Sequence, residues 1–213
     1  MERVICIAIG YLFGLLQTGF FYGKAHKIDI RTQGSGNSGT TNAIRTLGWK
    51  AGIITFIGDC FKCIFAVLIV KIIYAECMPD ALPLLGLYAG LGAVLGHNFP
   101  FYLNFKGGKG VATSVGLALS TNIVVALVAI ATFYVVMKTT KYVSVGSMSL
   151  LAVFATGTII YDRCVGFGLP TAGMQYELYA VVVFLFIMSV IRHRENIKRL
   201  KNGTENKIKG KKK

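Results

Sequence analysis

The chain has 213 residues, of which 54% are hydrophobic and 15% are charged, and its formal net charge is +14 at pH 7. Soluble globular domains carry about 25% charged residues, so this composition argues against a soluble domain and predicts a membrane protein. The positive charge is concentrated at the ends of apolar segments and in the C-terminal tail. Because no aromatic residues are interleaved with the cations of the tail, we expect no nucleic-acid partner.

Six apolar segments fill most of the chain, and several approach the roughly 20 residues that cross a lipid bilayer. They cover residues 3–22, 50–74, 83–97, 111–137, 142–161 and 176–191. The first is long and lacks a small-residue cleavage site before Lys24, so we expect a retained span rather than a signal peptide. The sequence thus predicts an all-α polytopic membrane protein with one domain over residues 1–200. A basic, disordered cytoplasmic tail is expected over 201–213.

The distribution of charge predicts the orientation of the spans. Lys and Arg are concentrated in the loop 24–50, around 106–109, around 138–141 and in the tail, whereas the gap 75–83 is acidic. The positive-inside rule places the four basic segments in the cytoplasm, which requires an even number of crossings between the first loop and the tail. A break at Ser120-Thr121-Asn122 would divide the long fourth segment and give about seven crossings. A five-span chain with a re-entrant segment is the alternative.

A polar loop follows the first span, over residues 34–45 (GSGNSGTTNAIR). Glycines allow successive backbone N–H groups to converge on an anion, hydroxyls and amides add donors, and a guanidinium binds two oxygens at once. This motif predicts a phosphate-binding loop at the membrane surface rather than a flexible linker.

A second polar motif covers residues 96–113 (GHNFPFYLNFKGGKGVAT) and combines glycines with two lysines. Its last residues begin an apolar helix, whose N-terminus would favour an anion. The motif predicts a second phosphate-binding turn. It is not a Walker A motif, because it lacks the pattern G-x-x-x-x-G-K-[ST].

A third motif follows the last span, over residues 191–205 (IRHRENIKRLKNGTE). His193 and Asn196 are three positions apart and would share one face of a helix. Taken alone, the segment is better explained as an amphipathic helix with a solvated histidine. Three anion-binding motifs on one face of the bundle, however, predict a single site that handles phosphate next to lipid.

Asp59 and Lys62 lie inside the second span, where isolated charges are costly. Their spacing allows them to form an ion pair that supports the first motif. The alternative is that both side chains extend to the cytoplasmic interface.

The three motifs, with Asp59 and Lys62, closely resemble the bacterial acyl-phosphate:glycerol-3-phosphate acyltransferases, the PlsY family, in order and spacing. The resemblance implies a seven-span enzyme of the bacterial plasma membrane whose active site faces the cytoplasm. Such an enzyme transfers an acyl group from acyl phosphate to the 1-hydroxyl of glycerol 3-phosphate and releases lysophosphatidic acid and phosphate. Its partners are these two substrates and the lipid bilayer, and it uses no metal or cofactor.

The resemblance also implies roles for individual residues. The expected catalytic residues are Ser35, Arg45, Lys109, His193 and Asn196. The residues expected to bind glycerol 3-phosphate are Ser35, Asn37, Ser38, Thr41, Asn42, Arg45 and Lys109. Those expected to bind acyl phosphate are His97, Lys106, Gly107, Gly108, Gly110 and Thr113. Structural support is expected from Asp59, Lys62 and Glu205.

Acyl phosphate is already activated, so the main tasks are alignment of the substrates and stabilisation of the oxyanion and the departing phosphate. The hydroxyl proton could pass to His193 or to the phosphate of the donor, whose second pKa is about 6. No H-x-x-x-x-D pattern begins at His97 or His193, which argues against acyltransferases that depend on CoA or a carrier protein.

The competing class is a transporter for an organic phosphate. It is disfavoured because the polar motifs lie at one membrane face rather than at the midplane.

Overall fold

The computed structural model describes residues 1–208, which form ten α-helices, three short 3₁₀ helices and no β-strand. The helices are α1 (Glu2–Gly14), α2 (Thr18–Ala25), α3 (Thr40–Leu47), α4 (Trp49–Tyr74), α5 (Leu82–Asn98), α6 (Val111–Thr121), α7 (Ile123–Thr140), α8 (Val143–Cys164), α9 (Ala172–Arg192) and α10 (Arg194–Lys201). The 3₁₀ helices are Ile30–Thr32, Pro79–Ala81 and Phe101–Leu103.

Six segments within the described residues are long and apolar enough to cross a membrane. They are Glu2–Ala25, Trp49–Tyr74, Pro79–Leu103, Ile123–Thr140, Val143–Cys164 and Ala172–Arg192. The first contains both α1 and α2, with a short interruption around Gln17. The prediction of an all-α polytopic membrane protein is confirmed.

The break predicted in the fourth apolar segment lies between α6 and α7. The side-chain oxygen of Asn122 accepts hydrogen bonds from the backbone N–H groups of Val124 and Val125, at 3.0 and 3.1 Å, and so caps α7. Helix α6 has 11 residues and is about 16 Å long, roughly half the thickness of a hydrocarbon core. Together with the six long segments it supplies the seventh helical segment expected.

The direction of α6 follows from the contacts at its two ends. Its first residue, Val111, lines the cavity described below, and near its last turn the Ser120 carbonyl accepts a hydrogen bond of 2.9 Å from Lys71, close to the end of α4. Helix α7 then returns, since Phe133 on it lines the cavity again. The chain therefore travels away from the cavity along α6 and back along α7, as the seven-segment arrangement requires.

Helix α5 is the most buried of the long helices, and α1 packs closely against it. A Cβ atom added at Gly92 of α5 would lie 2.2 Å from the carbonyl oxygen of Ile7, so only glycine allows this approach of the two backbones. Small residues at helix crossings are typical of membrane proteins, in which close backbone packing stabilises the bundle. This packing joins α1 to the bundle.

The last described residues pack against the turn between α7 and α8. The backbone N–H of Ile208 donates to the carbonyl of Lys141 at 2.9 Å, and Glu205 accepts a hydrogen bond from Ser144 on α8. The disordered tail expected from residue 201 stays a prediction, although Lys201 ends α10 and Glu205 and Ile208 make these contacts. The rest of the predicted tail, residues 209–213, lies outside the described residues.

Candidate active site

A cavity of about 160 Å³ lies where the three polar motifs meet. The walls of the cavity include many of the predicted site residues, namely Ser35, Asn37, Thr41, Asn42, Asp59, Arg45, His97, Lys109, Gly110, His193, Asn196 and Glu205. Because these residues are distributed from position 35 to position 205, the fold brings distant parts of the chain to one place. The expectation that the motifs form a single site agrees with this geometry.

Two helix N-termini face the cavity. Helix α3 begins at Thr40 and α6 at Val111, and neither helix has a side-chain cap. Residues 39–41 and 110–112 line the cavity. Backbone N–H groups in the first turn of a helix lack intrahelical partners and favour negative charge. With Arg45 and Lys109 in the same wall, the cavity is suited to phosphate groups.

Asn42 organises the first motif from within. Its side-chain oxygen accepts from the backbone N–H of Ser35 at 2.8 Å, and its amide donates to the carbonyls of Ile30 and Gln33 at 2.7 and 3.1 Å. The Asn42 side chain is thus occupied by the loop itself. Its position supports a loop-shaping role rather than the expected direct contact with phosphate.

Ser38 lies outside the cavity wall. It is buried, and its hydroxyl donates to the side-chain oxygen of Gln17 at 3.0 Å. The Gln17 amide in turn donates to the carbonyl of His97 at 2.9 Å. The expected phosphate contact of Ser38 therefore conflicts with its position, since Ser38 and Gln17 join the first motif to the end of α5.

Asp59 and Lys62 form a buried ion pair, in which Lys62 Nζ lies 2.8 Å from Asp59 Oδ1. The side chain of Asp59 is 1% exposed and that of Lys62 is 3% exposed. Lys62 Nζ also donates to the carbonyl of Leu16 at 2.7 Å and lies 2.8 Å from His97 Nδ1. The hydroxyl of Thr18 donates to Asp59 at 3.2 Å. These contacts favour the supporting role over extension of the side chains to the interface. His97, expected among the ligands of acyl phosphate, belongs to this cluster.

The glycines of the second motif press against the end of α5. The N–H groups of Gly107 and Gly108 donate to the carbonyls of Asn98 and His97 at 3.2 and 3.1 Å. A Cβ atom at position 108 would lie 2.0 Å from His97 Nε2. Both N–H groups are thus used within the protein, so these two glycines serve close packing rather than the expected binding of an anion by their N–H groups.

Arg192 holds the same two glycines from the other side. Its Nη2 atom donates to the carbonyls of Gly107 and Gly108 at 3.0 and 2.7 Å, and its guanidinium carbon lies 5.1 Å from the centre of the Phe99 ring. The third motif therefore fixes the loop that carries Lys109.

Lys109 begins a hydrogen-bonded chain that runs through the third motif. Its ammonium donates to the side-chain oxygen of Asn196, and the Asn196 amide donates to Glu205 at 2.6 Å. Glu205 also accepts from Ser144 at 3.0 Å and from Arg199 at 2.7 Å. Burial would raise the pKa of Glu205, but these hydrogen bonds outweigh it and keep that pKa below its ordinary value. The geometry agrees with a structural role for this carboxylate.

Burial lowers the pKa of Lys109 to about 8, and the guanidinium groups of Arg199, Arg192 and Arg45 contribute to the shift, whereas Glu205 opposes it. Burial, together with the charge of Lys109, lowers the pKa of His193 to about 4. His193 Nδ1 lies 2.8 Å from the carbonyl oxygen of Ser189 and must donate to it, because a carbonyl only accepts. At neutral pH His193 is therefore uncharged, with Nε2 as its acceptor.

Other predicted ligands lie elsewhere. Lys106 and Gly107 line a neighbouring cavity instead, and Gly108 and Thr113 line neither cavity. Thr113 is fully buried, and its hydroxyl has no hydrogen-bond partner within the described residues. The structure thus separates the expected acyl-phosphate ligands, of which only His97 and Gly110 reach the first cavity.

Several cavity residues carried no predicted role. Thr40 at the start of α3, Arg199 on α10 and Ser144 on α8 line the cavity with the predicted residues, and Phe56 and Phe133 add apolar wall from α4 and α7. Thr40 and Arg199 belong to motifs recognised from the sequence, so the motifs themselves were a usable signal. The phenylalanines lie in apolar spans and have no signal that distinguishes them from core residues.

Comparison with known proteins identifies the family. A family described as "Glycerol-3-phosphate acyltransferase" matches residues 4–203. The glycerol-3-phosphate acyltransferase of Clostridioides difficile is 42% identical, over 96% of this chain and 95% of its own length. That of Alkaliphilus metalliredigens is 38% identical, over 98% of this chain and 97% of its own.

Two solved structures are similar over the whole fold. The crystal structure of PlsY, an integral membrane glycerol 3-phosphate acyltransferase, in its glycerol 3-phosphate form has a TM-score of 0.81 at 29% identity, covering 98% of this chain and 96% of that one. The lysophosphatidic acid form has a TM-score of 0.79 at 28% identity, with the same coverage. By its motifs, its helical fold and these similarities, the chain belongs to the glycerol-3-phosphate acyltransferase family of the PlsY type.

Proposed function

We propose that this membrane protein transfers an acyl group from acyl phosphate to the 1-hydroxyl of sn-glycerol 3-phosphate, giving lysophosphatidic acid and inorganic phosphate. The observation that carries the proposal is the convergence of two uncapped helix N-termini with Arg45 and Lys109 on one cavity. Such a cavity can neutralise the phosphate of glycerol 3-phosphate and the phosphate of the donor. The forms of the related PlsY structure, with glycerol 3-phosphate and with lysophosphatidic acid, support the same acceptor and product.

The acceptor phosphate is assigned to the first motif and Lys109. Ser35, Thr41 and Arg45 line this side of the cavity beside the N-terminus of α3. The donor phosphate is assigned to the N-terminus of α6 at Gly110, across the cavity. The acyl chain would leave between Phe56 and Phe133, the apolar residues that α4 and α7 contribute to the wall.

The reaction forms one bond and breaks one bond at the acyl carbon. The 1-hydroxyl oxygen attacks the carbonyl carbon, and the bond from that carbon to the phosphate oxygen breaks, with its electron pair leaving on phosphate. The hydroxyl proton ends on the departing phosphate, so a dianionic acyl phosphate yields hydrogen phosphate without an external base. Fixed cations and helix N-termini stabilise the negative charge that shifts to the phosphate.

The proton is assigned to the donor phosphate rather than to His193. A histidine whose pKa lies at about 4 accepts a proton poorly at neutral pH, because a weaker base is a less efficient general base. Its uncharged ring, fixed by the Ser189 carbonyl, instead offers Nε2 as a hydrogen-bond acceptor that can orient the hydroxyl of the acceptor substrate.

The site is assigned to the cytoplasmic side of the bacterial plasma membrane. The segments gathered at the cavity end of the bundle contain Lys24, Lys27, Lys50, Lys106 and Lys141. The connection between α4 and α5, at the opposite end of α4, contains Glu76 and Asp80 instead. This asymmetry follows the positive-inside rule.

The test is formation of lysophosphatidic acid by the purified protein, given glycerol 3-phosphate with palmitoyl phosphate or with palmitoyl-CoA. We expect product from palmitoyl phosphate alone. The Arg45→Gln variant, which keeps a polar but shorter side chain and removes the guanidinium, should lose most of the activity. Product from palmitoyl-CoA at a comparable rate would contradict the donor assignment, and no product from either would contradict the function.

A further inference from the structure

A second cavity, of about 830 Å³, adjoins the first and is here named the vestibule. The two cavities share five wall residues, namely Ser35, Asn37, Lys109, Asn196 and Arg199. The hydrogen bond between Lys109 and Asn196 therefore lies in the wall between them. A polar molecule that crosses from the vestibule to the first cavity passes these shared residues, of which Lys109 and Arg199 are cationic.

The vestibule is strongly cationic. Six cationic side chains line it, namely Arg31, Lys106, Lys109, Arg192, Arg194 and Arg199, against the two carboxylates Asp29 and Glu195. Asp29 pairs with Arg31 at 2.7 Å, and Glu195 lies 3.8 Å from Arg194. Arg199 in turn pairs with Glu205 at 2.7 Å. The wall still holds more cations than carboxylates, and the long, exposed contact with Glu195 neutralises Arg194 only weakly. Clefts lined by one sign of charge concentrate ions of the opposite sign.

The vestibule also opens to water. The side chains of Arg194 and Glu195 are 79% and 68% exposed, and Lys106 is exposed as well. By contrast, Phe56 and Phe133 face the first cavity from the membrane-spanning helices. The two cavities thus offer a polar approach from solvent and an apolar approach from the spans.

We propose that the vestibule is the route by which glycerol 3-phosphate enters and inorganic phosphate leaves, and that Lys106 and Arg194 draw phosphate dianions toward Lys109. The inference rests on the proposed function, because it assumes that these are the polar substrate and product. It assigns to Arg194 a role in capture that does not involve the reacting atoms. The acyl donor, which carries a long apolar chain, is excluded from this route.

The test compares Arg194→Gln and Lys106→Gln with Lys50→Gln, which removes one exposed charge outside both cavities. Formation of lysophosphatidic acid is measured at about 10 mM and about 0.5 M ionic strength, where the screening length falls from roughly 30 Å to a few Å. At low salt, each vestibule variant should lower kcat/KM for glycerol 3-phosphate about threefold, and at high salt the difference should vanish. Lys50→Gln should match the unsubstituted protein, and kcat of Arg194→Gln should be unchanged.

Two further measurements separate entry, exit and donor binding. The inhibition constant of inorganic phosphate should rise in Arg194→Gln by about the same factor as KM for glycerol 3-phosphate. At saturating glycerol 3-phosphate, kcat/KM of Arg194→Gln for palmitoyl phosphate should equal that of the unsubstituted protein within experimental error. An unchanged inhibition constant would overturn the exit route, and an equal loss for palmitoyl phosphate would overturn the separation of the two approaches.

The proposal as a whole is overturned if Arg194→Gln and Lys50→Gln behave alike at low salt, or if the loss persists at high salt. Failure of the unsubstituted protein to form lysophosphatidic acid would instead overturn the proposed function. The two failures are therefore distinguishable in one set of assays.

Discussion

Lys109 and Asn196, which are 87 positions apart in the chain, are joined by a hydrogen bond from the lysine ammonium to the asparagine side-chain oxygen. Through the Asn196 amide the chain of contacts continues to Glu205, on the segment that packs against α8. The charge that is expected to bind phosphate is thus positioned by residues of the third motif and the C-terminal segment. Lys109 can be displaced by changes far from it in sequence.

The lowered pKa of Lys109 predicts a pH dependence. Below about pH 8 the side chain is protonated and attracts phosphate, and above that value the charge is lost. We expect kcat/KM for glycerol 3-phosphate to fall tenfold per pH unit above about 8, since this ratio reports the pKa values of the free enzyme. In Lys109→Arg, whose guanidinium stays charged, the remaining activity should not show this fall. A flat profile of the unsubstituted protein up to pH 9.5, after correction for spontaneous hydrolysis of the donor, would contradict the assignment.

His193→Ala tests the route of the proton. If the donor phosphate takes it, the variant should lose about tenfold or less in kcat, whereas an obligatory general base contributes about 10²–10⁴-fold. A loss of kcat between pH 7.5 and about 5.5 should follow the donor phosphate, whose second pKa is about 6, and should be the same in His193→Ala, because the pKa of His193 lies well below that range. A loss of about a thousandfold in His193→Ala at saturating substrates would restore the histidine as the base.

The sequence was sufficient to predict which loops meet. Anion binding needs glycines, hydroxyls and cations, and these residue types form recognisable motifs in the chain. It was also sufficient to predict the break before α7, since Asn122 interrupts an apolar run and can cap the next helix. It did not predict the interruption around Gln17. Gly14 and Gly19 flank that point, but Gly10 and Gly23 lie within the helices on either side, so glycine alone does not mark the break. The Gln17 amide stabilises the break by donating to the carbonyl of His97 on α5.

The partners of polar side chains were the least predictable part of the site. Ser38 belongs to a phosphate-binding type of motif, yet its hydroxyl points to Gln17. His97 belongs to the second motif, yet it completes a cluster with Lys62. Both outcomes depend on how α1, α4 and α5 are rotated against one another. Tertiary packing determines these rotations, and the local sequence does not.

The ion pair of Asp59 and Lys62 should be essential for folding. Asp59→Leu leaves the buried Lys62 without its partner, and breaking such a pair typically costs about 3–5 kcal/mol. We expect strongly reduced yield or a large loss of thermal stability in detergent. The double variant Asp59→Leu, Lys62→Met removes both charges and should recover much of the stability. Normal yield and activity of the single variant would exclude the supporting role of the pair.

Arg192 should matter through the loop that it holds. Arg192→Gln removes two hydrogen bonds to the Gly107 and Gly108 carbonyls and the contact with Phe99. Hydrogen bonds of charged groups typically contribute about 1.5–3 kcal/mol, so kcat/KM should fall by roughly 10- to 100-fold. Arg192→Lys should recover only part of this, because an ammonium cannot reproduce the planar fork and the stacking. The control is Lys198→Gln, which removes an exposed charge from α10 and should leave activity unchanged.

Hydrogen exchange distinguishes the loss of loop structure from the simple loss of a charge in the vestibule. If Arg192 fixes the loop, amide exchange at Gly107 and Gly108 should become faster in Arg192→Gln, and the loss of kcat/KM should persist at about 0.5 M ionic strength, where fields from exposed charges are screened. Unchanged exchange at both glycines, with recovery of activity in high salt, would mean that Arg192 acts only through its charge. The salt-independent outcome follows from the geometry, because the contacts of Arg192 with the two carbonyls are direct and partly buried.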